Sequence, residues 1–365
     1  MVKQFSGIYR NKSVLITGVT GFKGSWLALW LNSLGAKITG YSLKPPTNPS
    51  HFRLLGLKPS IAYADIRNLE KLTAVIKRCK PEIVFHLAAQ SLVRRSFENP
   101  KETFETNVMG TLNLFEACRR SLSVRAIINV TSDKCYENKE RPISYKESDA
   151  MGGYDPYSAS KGCAELLTAS YRKSFLNIQD FNSKHNTLIA SCRAGNVIGG
   201  GDWARDRLIP DIMRGVSNNV ATEIRSPYAV RPWQHVLEPL SGYLLLGQVL
   251  LEGKKDFAQA WNFGPDDSRD QDVKHVIDTL HKQWNKIKFK HKHNQTDMHE
   301  AGLLKLDSTK ARQKLNWKPV WDFDTTIKKT ADWYKYYYEE KKILSGKQLD
   351  EYAEDARGKK LVWSN

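Results

Sequence analysis

Residues 131–136 read TSDKCY and set Ser132, Asp133 and Lys134 side by side directly after the apolar run RAIINV (125–130). A strand leaving a hydrophobic core gains little from two opposite charges at its exit, because an exposed ion pair there is worth only ~0–1 kcal/mol. An acid and a base in adjacent positions suit a reaction that takes one proton and gives another. Further on, YSASK (157–161) supplies Tyr157 and Lys161 four residues apart, on one face of a helix that Asp155-Pro156 can open. An ammonium beside a phenol draws its pKa down from the reference of about 10, so a tyrosinate base near neutral pH is expected. By itself that spacing recurs by chance in many helices.

The N-terminal region has a place for a nucleotide. The run SVLIT (13–17) leads straight into TGVTGFKGSW, where Gly18, Gly21 and Gly24 are spaced GxxGxxG. Small residues let the backbone turn tightly and approach a pyrophosphate, while the free N–H groups of the following helix face the anion. Turn glycines also occur without any nucleotide. Their position between a first strand and a first helix is what predicts dinucleotide binding.

The elements that must hold these groups alternate along the first half of the chain. SVLIT (13–17), AKITGYS (36–42), IAYA (61–64), EIVFHLA (82–88), RAIINVTS (125–132) and TLIASCR (187–193) read as strands. Helices are expected at 25–35, 68–79, 101–120 and 157–176. These candidate strands with helices between them predict an α/β fold, a doubly wound parallel (Rossmann) sheet with a smaller C-terminal substrate-binding domain. The expected division is 1–195 for the dinucleotide-binding domain, 196–345 for the substrate domain and 346–365 for a charged, peripheral tail. The segment around 230–262, with the helix-like LEPLSGYLLLGQVLLEG (237–253), returns to the main sheet, and AWNFGP (260–265) leads into a final mixed region.

The glycine spacing resembles the TGxxGFxG pattern of the extended short-chain dehydrogenase/reductase family. Asp65-Ile66 after the third strand, HLAAQ (86–90) after the fourth and Asn107 in TNVMGT stand at that family's intervals. By this resemblance Gly18, Gly21, Phe22, Lys23, Gly24, Asp65, Ile66, Leu87, Ala88, Ala89, Asn107, Tyr157 and Lys161 bind the cofactor, and Ser132, Asp133, Lys134, Tyr157 and Lys161 are catalytic. The added acid and base at 133–134 are similar to the Ser/Thr-Asp-Glu or Ser/Thr-Asp-Lys triplet of sugar-nucleotide 4,6-dehydratases. Within that group GFKGSWLALWL (21–31), GYSLKPPTNPS (40–50), TSDKCYEN (131–138), GNVIGGGDWARDRLIPD (195–211) and RPWQHVLEPLSGYL (231–244) resemble the CDP-glucose-linked branch, over about residues 10–340.

What the resemblance implies is an NAD-dependent lyase that turns CDP-D-glucose into CDP-4-keto-6-deoxy-D-glucose, in deoxysugar biosynthesis for a surface polysaccharide such as lipopolysaccharide O-antigen. A C4 ketone acidifies the C5–H for Lys134 to remove, and Asp133 protonates the departing C6 hydroxyl. Asp133 must therefore hold a proton near neutrality, against its reference of about 3.9. Gln90 and Ser91 are expected to face the sugar, with Ser132. Asn196, Arg207 and Arg231 are expected to meet the diphosphate, where the planar guanidinium forks suit phosphate oxygens. Trp233 and His235 either border the nucleotide or pack. NAD is favoured because the resembling enzymes mostly use it, although strand two ends GYSLKPP, with Lys44 and without the acid that accepts from a ribose 2′-OH.

Composition narrows the rest. The net charge is +17, from 56 basic and 39 acidic residues. That suits an anionic substrate or nucleic acid, but no nucleic-acid-binding motif accompanies it, so no nucleic-acid partner is expected. No apolar stretch approaches the roughly 20 residues needed to cross a bilayer. No membrane association is expected, and a cytoplasmic location is. The five cysteines lack a CxxC pair, and His281, His291, His293 and His299 lack a metal-ligand spacing, so no metal site is expected. The family tendency implies a homodimer or homotetramer built on paired helices, including the YxxxK helix. A same-fold epimerase or reductase, a non-catalytic nucleotide-binding protein and a nucleic-acid-binding protein stay open as alternatives.

Overall fold

The computed structural model describes residues 4–140, 143–224, 226–265, 271–291 and 303–365; His293 and His299 lie outside the described residues. Six strands fall within two residues of expectation: β1 Ser13–Thr17, β2 Lys37–Ser42, β3 Ser60–Tyr63, β4 Ile83–His86, β5 Ala126–Val130 and β6 Leu188–Ala194. Short strands β7 (Val197–Ile198), β8 (Thr222–Ile224) and β9 (Gln234–His235) follow, then β10 (Ala260–Phe263) and β11 (Phe289–His291). The main sheet runs β10-β6-β5-β4-β1-β2-β3, every pair parallel. AWNF is thus the seventh strand, an edge strand paired with β6.

β1, β4, β5 and β6 are near-continuous apolar runs because both sheet faces are covered. Alternate side chains divide between two cores. Leu15, Val84, Ile127 and Ile189 face α3 (Leu69–Cys79) and α6 (Gly110–Arg119). Val14, Ile16, Phe85, Ile128 and Ala190 join the larger core on the other face, with α1 (Phe22–Ser33). Short helices α2 (His51–Leu54), α4 (Val93–Glu98) and α5 (Pro100–Phe104) border the sheet's carboxyl end. A π-helical turn, Glu105–Met109, joins α5 to α6 where a single helix was expected.

The helix carrying YxxxK is α7 (Pro156–Lys173), opened by the Asp155 carboxylate accepting from the Ser158 N–H at 2.9 Å. α8 (Leu208–Ser217) belongs to the C-terminal part, where β7 pairs with β9 and β8 with β11. All fifteen residues of α9 (Leu237–Leu251) are buried against the sheet, which explains its apolar character all round. α10 (Val273–Gln283), α11 (Thr309–Lys314), α12 (Phe323–Glu340) and α13 (Ser345–Gly358) complete the chain.

The expected peripheral tail is instead part of the core. Leu349, Tyr352, Ala356 and Trp363 are buried, and Trp363 stacks on Phe5 with ring centroids 5.2 Å apart. The charges of α13 lie on its outer face while its apolar residues recur at helical spacing, a pattern that overall charge conceals.

Candidate active site

In an open α/β sheet the ligand crevice lies at the carboxyl ends of the strands where the winding reverses. Here that point is between β1 and β4. A cavity of about 1290 Å³ opens there, large enough for two ligands, and extends over the C-terminal part. The glycine loop forms one wall. Gly18 has φ +72°, and a Cβ on it would lie 2.7 Å from the Ala88 nitrogen; one on Gly24 would lie 2.2 Å from the Gly18 carbonyl oxygen. Side chains at either place would push α1 off the β1 loop or close the loop against β4. Gly21 caps α1, so the free N–H groups of its first turn face the cavity. This cradle fits a dinucleotide pyrophosphate.

Phe22, Lys23, Asp65, Ile66, Leu87, Ala88 and Ala89 line the cavity as expected. The Asp65 carboxylate is held by Arg67, which donates from its backbone N–H at 2.9 Å and its guanidinium at 2.8 and 3.1 Å. Asn107 does not line it. Its buried amide accepts from the Gln90 N–H and donates to the Gln90 carbonyl and to Ser160 Oγ, at 2.8–2.9 Å. The π-helical turn aims Asn107 inward, so this residue braces the loop after β4 against α7 instead of reaching the cofactor.

The catalytic candidates converge. Ser132 Oγ donates to Asp133 Oδ1 at 3.0 Å and accepts from the Lys134 N–H at 3.2 Å, closing a short 3₁₀ turn past β5. Tyr157 is buried at the cavity wall, near enough to Ser132 for that hydroxyl to act on its phenol. Lys161 Nζ, also buried, donates to the Val130 carbonyl at 3.3 Å. All five candidates line one cavity.

The electrostatics differ in part from the sequence reading. Burial pushes the Tyr157 hydroxyl up to about 12, with the Ser132 hydrogen bond and the Arg207 charge opposing and Asp133 adding to the rise. The expected lowering by Lys161 does not figure among the influences on the phenol, and desolvation decides the direction. Burial also brings Lys161 down to about 8, with Glu165 opposing. Asp133 behaves as an acid should. Burial raises its carboxyl, against Lys134, the Ser132 hydrogen bond, Arg231 and Lys23. Its Oδ2 is buried and accepts no hydrogen bond, so it has room for a proton. Gly195 keeps that room, since a Cβ there would meet Asp133 Oδ2 at 3.1 Å and Pro232 at 2.2 Å.

On the substrate side Asn196, Arg207, Arg231 and Ser91 line the cavity, and Arg207 bridges to Ser91 Oγ at 3.0 Å and Asp202 Oδ2 at 3.3 Å. Gln90 lines it too, yet its amide is engaged locally. Its Nε2 donates to Leu92 O and Thr103 Oγ1, and its Oε1 accepts from the Leu92 N–H. Trp233 borders the cavity, while His235 is fully buried, its ring centroid 4.8 Å from that of Trp321. His235 is therefore a packing residue. Cys135 is fully buried and desolvation pushes its thiol up, which removes it as a nucleophile.

Several residues were missed from sequence. Glu165, one turn beyond Lys161, accepts from Thr131 Oγ1 at 2.5 Å, Ser191 Oγ at 2.8 Å and Arg193 Nη2 at 2.8 Å. It ties α7 to β5 and β6 just below the catalytic turn. Arg94, Arg205 and Arg214 add positive charge to the cavity. Among the described residues no cluster of His, Cys, Asp or Glu is arranged to hold a metal ion.

Comparison with known proteins agrees with this architecture. A family model described as GDP-mannose 4,6 dehydratase matches residues 15–330. The chain is 47% identical over 348 residues to the CDP-glucose 4,6-dehydratase of Salmonella typhimurium, covering 94% of this chain and 97% of that one. It is 34% identical to the CDP-paratose 2-epimerase of Salmonella typhi over 44% of this chain and 53% of that one. Among solved structures, dTDP-glucose 4,6-dehydratase from Streptomyces venezuelae with NAD bound superposes with a TM-score of 0.72 at 21% identity, covering 88% and 96% of the two chains. UDP-glucose 4-epimerase from Thermotoga maritima gives 0.74 at 20%, covering 89% and 99%. With its glycine cradle, its catalytic turn and a match running through both parts of the molecule, the chain belongs to the GDP-mannose 4,6 dehydratase family of extended short-chain dehydrogenases/reductases.

Proposed function

We propose that this protein is an NAD-dependent hydro-lyase that converts CDP-D-glucose to CDP-4-keto-6-deoxy-D-glucose. The carrying observation is the buried, proton-ready Asp133 beside Lys134, in the cavity that also holds Tyr157 and Lys161. The 47% identity to a CDP-glucose 4,6-dehydratase along nearly the whole chain supports the nucleotide and the sugar. NAD, when bound, supplies hydride acceptance from C4 and hydride return to C6.

The chain's own residues move the protons. Tyr157, beside Ser132, takes the proton of the C4 hydroxyl, and Ser132 holds that oxygen as it becomes a carbonyl. Burial keeps the phenol protonated despite the Arg207 charge, so this role requires the phenol to ionise when ligands fill the cavity. Lys134 removes the C5 proton, made acidic by the C4 ketone. Asp133 gives its proton to the C6 hydroxyl, which leaves as water, so the carboxyl's raised affinity for a proton is what the elimination requires. Arg207 and Arg231 hold the substrate diphosphate, and Asn196 and Ser91 border the sugar nucleotide.

In this reading the product enters deoxysugar synthesis for a surface polysaccharide and the enzyme works in the cytoplasm. Among the described residues no helix is long and apolar enough to cross a membrane. The reading also includes a homodimer or homotetramer, supported by the exposed Leu166 and Phe175 on and beside α7, at 61% and 53%. CDP-glucose carrying deuterium at C4 tests the chemistry. Mass and NMR analysis should find the label in the C6 methyl group of a 4-keto product. Label in bulk solvent, or no turnover while a dTDP-, GDP- or UDP-hexose reacts, rejects the assignment.

A further inference from the structure

Residues 1–64 contain eight lysines and arginines and no aspartate or glutamate; the first carboxylate in the chain is Asp65. This stretch builds β1, the glycine loop, α1, β2 and β3, the half of a Rossmann fold that receives the adenosine of a dinucleotide. In NAD-selective sites a carboxylate at the end of the second strand accepts from the ribose 2′-OH and repels the 2′-phosphate of NADP. Here the end of β2 carries a hydroxyl. Ser42 Oγ and Thr20 Oγ1 lie 2.7 Å apart, and Thr20 Oγ1 donates to the Leu43 carbonyl at 2.9 Å, which leaves the Ser42 hydroxyl to donate to Thr20 and its lone pairs to face a ribose. The pair fixes the β2 terminus to the glycine loop without adding negative charge.

Two residues on, Lys44 is exposed at the cavity rim, and no described carboxylate pairs with it. Asp65 already accepts three hydrogen bonds from Arg67, which also pairs with Glu105 at 3.0 Å, so both carboxylates are engaged by a guanidinium. Among the described residues no carboxylate stands at the end of β2 to repel a phosphate on the 2′ oxygen, and Lys44 is in place to receive it.

We propose that the adenosine site accepts NADP as well as NAD, with Lys44 as counter-charge to the 2′-phosphate and Ser42 standing where a discriminating acid would be. The proposal rests on the NAD reading given above. It is tested on protein stripped of nucleotide with charcoal and titrated calorimetrically with NAD and with NADP at low salt. The two dissociation constants are expected to agree within about thirtyfold. Lys44→Glu should weaken NADP at least about tenfold more than NAD, and Ser42→Asp should do the same by placing a like charge against the phosphate. Circular dichroism of both variants establishes that they fold. A wider gap between the cofactors in the wild-type protein, or variants that weaken both alike, overturns the proposal. Failure of NAD itself to bind overturns the cofactor reading instead.

Discussion

At the scale of residues, the same three-residue turn is asked to hold a hydroxyl, an acid and a base within reach of one sugar. Tyr157→Phe removes the proton acceptor for C4 oxidation and leaves the ring packing intact, so turnover should fall by about 1,000-fold while cofactor stays bound, as checked by fluorescence titration. Asp133→Asn keeps the side-chain shape and loses the proton. C4 oxidation should persist and water loss should fall by about 100-fold or more, seen in single-turnover absorbance as reduced cofactor that fails to decay. The pH dependence carries a definite sign. Burial raises the Asp133 carboxyl, and it is the protonated form that works, so elimination should weaken as pH rises through that raised value, and Asp133→Asn should abolish this limb. The types and spacings of Ser132, Asp133, Lys134, Tyr157 and Lys161 suggested these proposed roles, and the structure brings all five to one cavity. The balance of forces on them was not, because desolvation depends on packing, and it was desolvation that turned the Tyr157 shift upward.

At the scale of elements, the catalytic turn is only as well placed as the joint between β5 and α7. Glu165 makes that joint. Its carboxylate is buried with Arg193 and also receives Thr131, the residue just before Ser132. Glu165→Ala would leave the Arg193 guanidinium unpaired in the core and should cost about 3–5 kcal/mol in denaturant unfolding. Six strands and the helices α1, α3, α7 and α9 could be read from periodicity, since buried parallel strands are short apolar runs and α3, α7 and α9 are bounded by capping residues or glycine. Asn107 could not be placed in the same way. A π-helical turn turns a residue by an amount that no 3.6-residue pattern anticipates, and Asn107 therefore braces the loop instead of lining the cleft. Gly195 escaped notice for a related reason, since its importance lies in the Asp133 oxygen and the Pro232 ring that occupy the space a Cβ would take.

At the scale of the whole molecule, the C-terminus closes on the N-terminus. Phe5, Trp30, Tyr352 and Trp363 form one aromatic cluster, and the charged composition of the last twenty residues gave no hint of it. Behind that cluster Glu238, fully buried on α9, accepts from the backbone N–H of Val320 at 2.9 Å, the N–H of Trp321 at 2.8 Å and Tyr352 Oη at 2.8 Å. It thus pins the turn before α12, and α13 itself, to the helix that lies on the main sheet. Burial pushes this carboxyl up to about 7, against those three hydrogen bonds and the Lys359 charge. In the unfolded chain a glutamate titrates near 4.3, so between these values the folded protein holds a proton that the unfolded chain has released. The stabilisation from that proton is complete below about pH 4 and is lost as pH rises through about 7, an effect on the order of 3 kcal/mol. Chemical denaturation at pH 5, 6, 7 and 8 should therefore show wild-type stability falling more steeply than that of Glu238→Gln, which cannot titrate. Parallel slopes for the two proteins would mean that Glu238 stays ionised in the fold and that its three donors outweigh its burial.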